Sequence, residues 1–586
     1  MYQNNLFFDN YFYNFIPSLI FLTINFLFSY TVCQKNFSNQ KKIFFKNKNL
    51  EIYLIFVTII SFYTFLINLL FLFNYTQHLG LLVFSLSFLA LFYIIFACDF
   101  KTFKFLTFKK ISLNKYISIL FFLFFLISIM PLSDADSVAL HMRIPAQILQ
   151  NGILSNDLFR NLENVLISNT ETILTLSFIL KSDNFGSILN FFSLLIFFLA
   201  FRKKSFYYIL FSTPLIIFFV STQKLQLFFG LLYLSLFILV YENKIKSNFE
   251  TFLFVFLLTF YSSGKLTYIL FSGFLFLFFL YKNRNFIKIA ILSLFISFFI
   301  HQFPILLYKN LLFQNPVAPF FDEFFKNREI FNALVYSMRA TEGWYGNFNF
   351  SVIYRPFITF DLFKLATTFG LLFPLLVFDF KSNKKLFFIP YLIIISIIAS
   401  GQLLPRYYLE AFLILIFYIN FNNLHKIISF IQGFFVILFS TGFIYFSFLN
   451  LQKDNWSKEN FYNQFTYTYF NANLLNKKIK DDNILLVSYD RNSLFFEEKI
   501  YSSRYLNTLN SFTDNYDENF SNFLTDANIK YVVYHHENQS SIPSCVKLNN
   551  FNELYFKNAI RNFLIQNSEH KFIIGEIVKN DCKKRN

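Results

Sequence analysis

Long apolar runs dominate the chain, separated by short polar loops. They lie at about 11–33, 52–73, 79–98, 116–132, 187–201, 206–220, 225–241, 250–263, 266–281, 286–307, 361–379, 386–404, 407–421 and 427–449. A helix needs roughly 20 such residues to cross the hydrocarbon core of a bilayer. The stretches 206–241, 250–281 and 386–421 are too long for one crossing, so each predicts a helical hairpin. The pattern predicts an all-α polytopic membrane bundle of about 13–14 transmembrane helices over residues 1–450. After that the rhythm changes. DNILLVSYD, IKYVVYHH and KFIIGEIV are rich in β-formers, and NFSNFLTDAN reads as a helix. Residues 451–586 are therefore expected to form a small α/β domain.

The loops divide by charge. QKNFSNQKKIFFKNK (34–48), DFKTFKFLTFKK (99–110), RKK (202–204), ENKIK (242–246), YKNRNFIK (281–288) and DFKSNKK (379–385) are basic, whereas NYTQH (74–78) has no Lys or Arg. Basic loops stay cytoplasmic. Alternation then puts the N-terminus, segments 133–186 and 308–360, and the C-terminal domain on the outer side. Segment 133–186 reads as mainly helical, with Asn151-Gly152 stopping the helix that begins near Asp136. Segment 308–360 carries NPVAPFF and ATEGWYGN and reads as turns with short interfacial helices.

Composition agrees with this class. Charged residues are 15% of the chain, against about a quarter in soluble domains. The Phe, Asn, Ile and Lys enrichment follows AT-rich codons. A net charge of +17 would suit nucleic acid, but the cations sit in short topogenic loops, so no nucleic-acid partner is expected. The N-terminus lacks a basic region followed by a cleavage site, so no removable signal peptide is expected. No zinc-type cysteine spacing occurs. Cys545 and Cys582, both expected outside the cytoplasm, are candidates for a disulfide.

Candidate chemistry concentrates where the fourth apolar run ends. MPLSDADSVALHMRIP (130–145) places Asp134, Asp136, His141 and Arg143 at the outer boundary. Seven residues is close to two helical turns, so Asp134 would share a face with His141 and Asp136 with Arg143. Asp136 reads equally as helix cap or as catalytic carboxylate, and Asp134, which brings no capping gain, is the stronger candidate for chemistry. A divalent metal at the Asp134/Asp136 pair stays open, because two carboxylates alone are a weak signal. Each hairpin tip adds one cation: Lys224 in STQKLQ, Lys265 in SSGKL and Arg406 in LLPRYY. Singly, each reads as a snorkelling anchor. Together with Asp134 they point to an anionic ligand such as a lipid phosphate. Arg355, at the re-entry to the membrane, is a further candidate, with Arg328 and Arg339 behind it. His78 and His301 read as structural or solvated.

These features resemble the GT-C superfamily of membrane glycosyltransferases, which includes protein mannosyltransferases and the aminoarabinose transferases of lipid A. SDADS, its continuation ALHMRIPAQILQNG, NPVAPFF in the second outer loop and the many-helix core before an α/β tail carry the resemblance, over roughly 110–450. It implies a sugar donor on polyprenyl phosphate or pyrophosphate, a glycan, lipid or protein acceptor, and inverting transfer. It also implies basic residues holding the phosphate and a first-loop Asp as general base, here Asp134 with Asp136 as partner or rival. The chain departs from the family in having three extra apolar segments before the acidic loop, and D-A-D in place of the D-E pair of the mannosyltransferases. A bacterial inner-membrane location with the C-terminus extracytoplasmic suits this reading. The competing class is a transporter or flippase of a lipid-linked sugar or other anion. Against it stand the lack of paired halves and charges at the outer boundary rather than mid-span. A polysaccharide polymerase or ligase would use the same donors.

Overall fold

A computed structural model describes residues 10–38, 48–97, 115–342 except 133, 135 and 202, then 354, 357, 367–378, 388–399, and 404–465 except 454. Within 475–580 it describes all but 477, 478, 480, 481, 488–493, 498, 514, 537–540 and 558–568. Apolar sequence without charge leaves the backbone to bond within itself, and helices follow. The chain forms α1 (Tyr11–Ser38), α2 (Lys48–Leu72), α3 (Leu79–Ala97) and α4 (Lys115–Ser128). Two shorter helices follow, α5 (Arg143–Asn151) and α6 (Asn169–Ile179). The bundle continues with α7 (Phe185–Ala200), α8 (Lys204–Ser212), α9 (Leu215–Ser221), α10 (Gln226–Tyr241), α11 (Asn248–Ser263) and α12 (Leu266–Lys282). Next come α13 (Ile287–His301), α14 (Phe303–Phe313), α15 (Glu329–Glu342), α16 (Leu372–Phe378), α17 (Phe388–Ala399), α18 (Leu409–Tyr418) and α19 (Asn423–Lys453).

Among the described residues, five helices are long and apolar enough to cross a membrane: Tyr11–Lys35, Leu50–Leu72, Thr76–Ala97, Arg284–His301 and Asn423–Lys453. They fit a membrane protein. Five is fewer than the expected 13–14 transmembrane helices, and parts of the expected runs 361–379 and 386–404 lie outside the described residues. Several apolar helices run only 10–17 residues, and at about 1.5 Å per residue even the longest of them falls short of the roughly 30 Å hydrocarbon core. The run 206–220, expected as one helix, is two, α8 and α9, bent by 81°. Pro214 explains the break. It lacks an N–H, and it pushes Thr213 into an extended conformation with ψ 118°. The Leu215 amide bonds instead to the Thr368 carbonyl at 3.0 Å.

The cations of the described basic loops are tied down by local contacts. Lys203 donates to the Phe417 carbonyl, Lys282 donates to the Tyr241 carbonyl at 2.9 Å, and Lys35 lies over the Tyr93 ring. Loops 99–110 and 379–385 lie outside the described residues. At one end of the bundle, here the loop face, both large loop segments and the C-terminal domain pack together. Leu162 and Val165 share an apolar cluster with Phe313 and Phe331, against which Tyr505 and Leu509 pack. The start of α1 joins this face, since the Tyr11 amide donates to the Trp456 carbonyl at 2.9 Å.

After α20 (Lys458–Phe465) the C-terminal domain holds a five-stranded mixed sheet in the order β2-β1-β3-β5-β4. Its strands are β1 (Asn483–Leu486), β2 (Ile500–Ser502), β3 (Ile529–His535), β4 (Val546–Lys557) and β5 (Glu569–Asn580). Helices α21 (Arg504–Asn510) and α22 (Tyr516–Asp526) lie between β2 and β3. β1 runs parallel to β2 and β3, and β5 is antiparallel to β3 and β4. One sheet face seats Val138, Met142 and Ala146 of the first loop segment against Ile484, Leu486 and Ile500. Cys545 is disulfide-bonded, and Cys582, its expected partner, lies outside the described residues.

Asn151-Gly152 stops α5 as expected, with Gly152 in the left-handed region at φ 74°. A Cβ there would lie 2.9 Å from Asn74 Oδ1. Gly152→Ala is therefore expected to destabilise the protein by about 1–2 kcal/mol, read as a lower midpoint of unfolding in detergent.

Candidate functional site

The SDADS stretch folds against the first hairpin tip. The Ser137 amide donates to Asp134 Oδ2 at 2.9 Å and the Ser137 hydroxyl donates to the same oxygen at 2.8 Å. Asp134 is thus the cap of this turn, while Asp136 makes no capping bond. This reverses the division of roles expected from sequence. The turn is also wider than an α-helix: the Met142 amide reaches the Ser137 carbonyl at 2.9 Å, five residues back. Five-residue spacing brings Asp136 and His141 to one wall, where both line a cavity. Asp134 and Arg143 do not line it. Arg143 is buried, 6% exposed. The expected pairings, Asp134 with His141 and Asp136 with Arg143, assumed 3.6 residues per turn, whereas the wide turn puts Asp136 and His141 together on the cavity wall.

The cavity has a volume of about 200 Å³. Elements far apart in sequence build it. Lys224 comes from the α9–α10 tip, Lys265 from the start of α12, and Arg406 from the Pro405–Tyr408 turn before α18. Asn190 of α7 fixes the first tip. Its amide donates to the Phe219 and Lys224 carbonyls, each at 2.8 Å, and its oxygen accepts from the Phe228 amide at 3.0 Å. Such polar links between apolar helices hold tips in register where the hydrophobic effect is weak. The Gln223 amide donates to the Ser137 hydroxyl at 2.9 Å, joining the tip to the acidic turn.

Lys224 Nζ donates to Asp136 Oδ2 at 2.6 Å and lies 3.9 Å from Asp134 Oδ2. Arg406 Nη1 reaches Asp136 Oδ2 at 3.4 Å. Burial pushes the Lys224 ammonium below its usual range; Arg406 pushes it the same way, and Asp134 and Asp136 pull it back up. Lys265 Nζ sits 4.0 Å from the centre of the Tyr407 ring, and the Arg406 guanidinium 5.6 Å from it, so this ring holds two cations at the cavity edge. Of the expected site residues, Asp136, His141, Lys224, Lys265 and Arg406 come together. Arg355 lies outside the described residues. The Arg328 guanidinium instead donates to the Phe313 carbonyl at 2.8 Å.

Three contributors escaped sequence reasoning. Glu171 bonds His141 Nδ1 at 2.8 Å and closes the capping box of α6 with Ser168. Glu163 lines the cavity, as does Arg504, which projects from the C-terminal domain and lies 3.3 Å from Glu163 Oε1. Arg504 follows the carboxyl end of a strand in the parallel part of the sheet, the place where α/β folds put ligand contacts. Phe320 of NPVAPFF also lines the cavity. Asn315 of that motif shapes the turn by donating to the Phe320 carbonyl at 3.1 Å and to Asp322 Oδ1 at 2.9 Å.

Among the described residues no three His, Cys, Asp or Glu side chains gather as a metal site. The Asp134/Asp136 pair does not fit one either, because the Lys224 ammonium already lies against both carboxylates. Four cations face three carboxylates around the cavity, which leaves a cationic excess suited to an anion. The rim meets apolar surface. Leu266 lines the cavity and begins an exposed apolar strip of α12 that continues through Ile269, Leu270 and Leu277. Comparison of the chain with protein-family models, curated proteins and solved structures finds no match to any of them.

Proposed function

We propose that this chain is a membrane glycosyltransferase of the GT-C kind, with the loop face extracytoplasmic in a bacterial inner membrane. It transfers a sugar from a polyprenyl-phosphate-linked donor to an acceptor hydroxyl, and the acceptor is a glycan, a lipid or a protein. The observation that carries this reading is one juxtaposition: a cavity with four cations whose rim opens beside the exposed apolar strip of α12. An anionic headgroup on a long apolar tail matches both halves. The headgroup sits among Lys224, Lys265, Arg406 and Arg504, and the polyprenyl chain lies along Leu266, Ile269 and Leu270.

In transfer, negative charge grows on the leaving phosphate oxygen, and preorganised cations stabilise it there. Asp136 aligns Lys224 and Arg406 through shared contacts at Oδ2. The test is binding of polyprenyl phosphate to protein in lipid nanodiscs. Lys265→Gln and Arg406→Gln are each expected to weaken it by about 10–100-fold, the range for charged hydrogen bonds, with the melting temperature held. Unchanged affinity in both variants contradicts the headgroup assignment.

A further inference from the structure

We infer that His141, positioned by Glu171, is the proton acceptor for the nucleophile in this cavity. The inference rests on the transfer reading above and adds a residue pair to it. His141 Nδ1 donates to Glu171 Oε1 at 2.8 Å. Glu171 is itself fixed, because its other oxygen accepts from the Ser168 amide at 2.9 Å and the Ser168 hydroxyl at 2.6 Å. An anchored carboxylate on Nδ1 sets the tautomer that leaves the lone pair on Nε2. Nε2 makes no hydrogen bond among the described residues, and the His141 ring lines the cavity. A base oriented by a third group and open to the reacting space is the arrangement general-base chemistry requires.

Asp136, the other candidate, turns Oδ2 to two cations, Lys224 and Arg406. That geometry suits alignment of the phosphate-binding groups better than acceptance of a proton. The work therefore divides between two walls, a carboxylate–cation wall for the phosphate and an imidazole–carboxylate wall for the nucleophile. In the step itself, the acceptor O–H bond breaks and its proton passes to Nε2. The oxygen bonds to the anomeric carbon. The carbon–oxygen bond to the phosphate breaks, and its electron pair leaves on the phosphate oxygen. The imidazolium then lies against Glu171 and later returns its proton to solvent.

A purely structural role for the pair, tying the wide turn to α6, predicts a different response to pH. The charged groups around His141 are Glu171 in contact, Asp136, Glu163, Lys224, Lys265, Arg406 and Arg504 around the cavity, and Lys309, whose charge acts on Glu171. The experiment follows sugar release from a polyprenyl-phosphate hexose in nanodiscs, with water as acceptor, across pH. Wild type is expected to show a one-proton acid limb in kcat/KM. His141→Gln is expected to lose that limb and about 10²–10⁴-fold in kcat, while polyprenyl phosphate binding stays at the wild-type level. Glu171→Gln is expected to lower kcat less and to shift the limb. Wild-type rate and pH profile in His141→Gln overturn the inference and leave the transfer reading standing. If His141→Gln does not fold, the same profile in Glu171→Gln decides in the same way. No sugar release by wild type overturns the transfer reading and this inference with it.

Discussion

Asp136→Asn is expected to lower turnover by about 10²–10³-fold, the cost of losing one preorganised charge-stabilising element, while the protein still folds. The carboxylate is on the cavity wall, its side chain 34% exposed, and its Oδ2 meets both Lys224 and Arg406. Neutralising it frees both cations from a common anchor and misplaces them for the proposed leaving phosphate. Asp134 behaves differently. It lies outside the cavity lining and caps the turn through Ser137. Asn is as good a cap as Asp, so Asp134→Asn is expected to keep turnover within a few-fold of wild type. Asp134→Ala should lower stability by about 1 kcal/mol. Turnover of sugar release and melting temperature, measured on all three variants, separate the two roles. Loss of turnover in Asp134→Asn with full turnover in Asp136→Asn would instead give the chemistry to Asp134.

The second large effect lies away from the cavity. Asp183 is 1% exposed and its carboxylate lies 3.8 Å from Lys458 Nζ, itself 3% exposed. The Asn14 amide and the Tyr462 hydroxyl both donate to this carboxylate, and Gln223 Nε2 donates to the Asp183 backbone carbonyl. One buried acid therefore ties α1, the α6–α7 turn, the Lys224 tip and α20 together. Removing one member of a buried pair costs about 3–5 kcal/mol. Asp183→Ala is expected to lose that much stability in detergent unfolding. Adding Lys458→Met should recover part of the loss, since no buried ammonium then remains. An unfolding midpoint unchanged in Asp183→Ala would show that this junction does not hold the loop face together.

Much of the layout was legible because its signals are local. Apolar length separated the helical bundle from the sheet-containing tail. Three of the five strands and helix α22 followed from β-former runs and the segment between them. The cations at the three hairpin tips stood out because they break the charge rule. What escaped was non-local or subtle. Pro214 breaks a run whose hydropathy is continuous, so hydropathy alone joined α8 to α9. β2 is three residues long and β4, VKLNNFNELYFK, is polar at an edge, so neither resembles a buried strand. The wide turn at Ser137–His141 has no sequence signature, and it alone decides which aspartate faces the cavity. The His141–Glu171 pair spans 30 positions, beyond any local pattern. Arg504 had a faint signal, a cation straight after a short β-rich stretch, but its arrival at the cavity depends on how the tail seats against the first loop segment.

Bond breaking between a sugar and a lipid phosphate is the step we propose for the loop-face cavity. The most direct measurement reconstitutes the wild-type chain in proteoliposomes with a polyprenyl-phosphate hexose and identifies the products by mass spectrometry. Free polyprenyl phosphate and a released or transferred hexose are expected, with both lost in Asp136→Asn. Intact donor, moved from one leaflet to the other without release of polyprenyl phosphate, would contradict that step and identify a transporter.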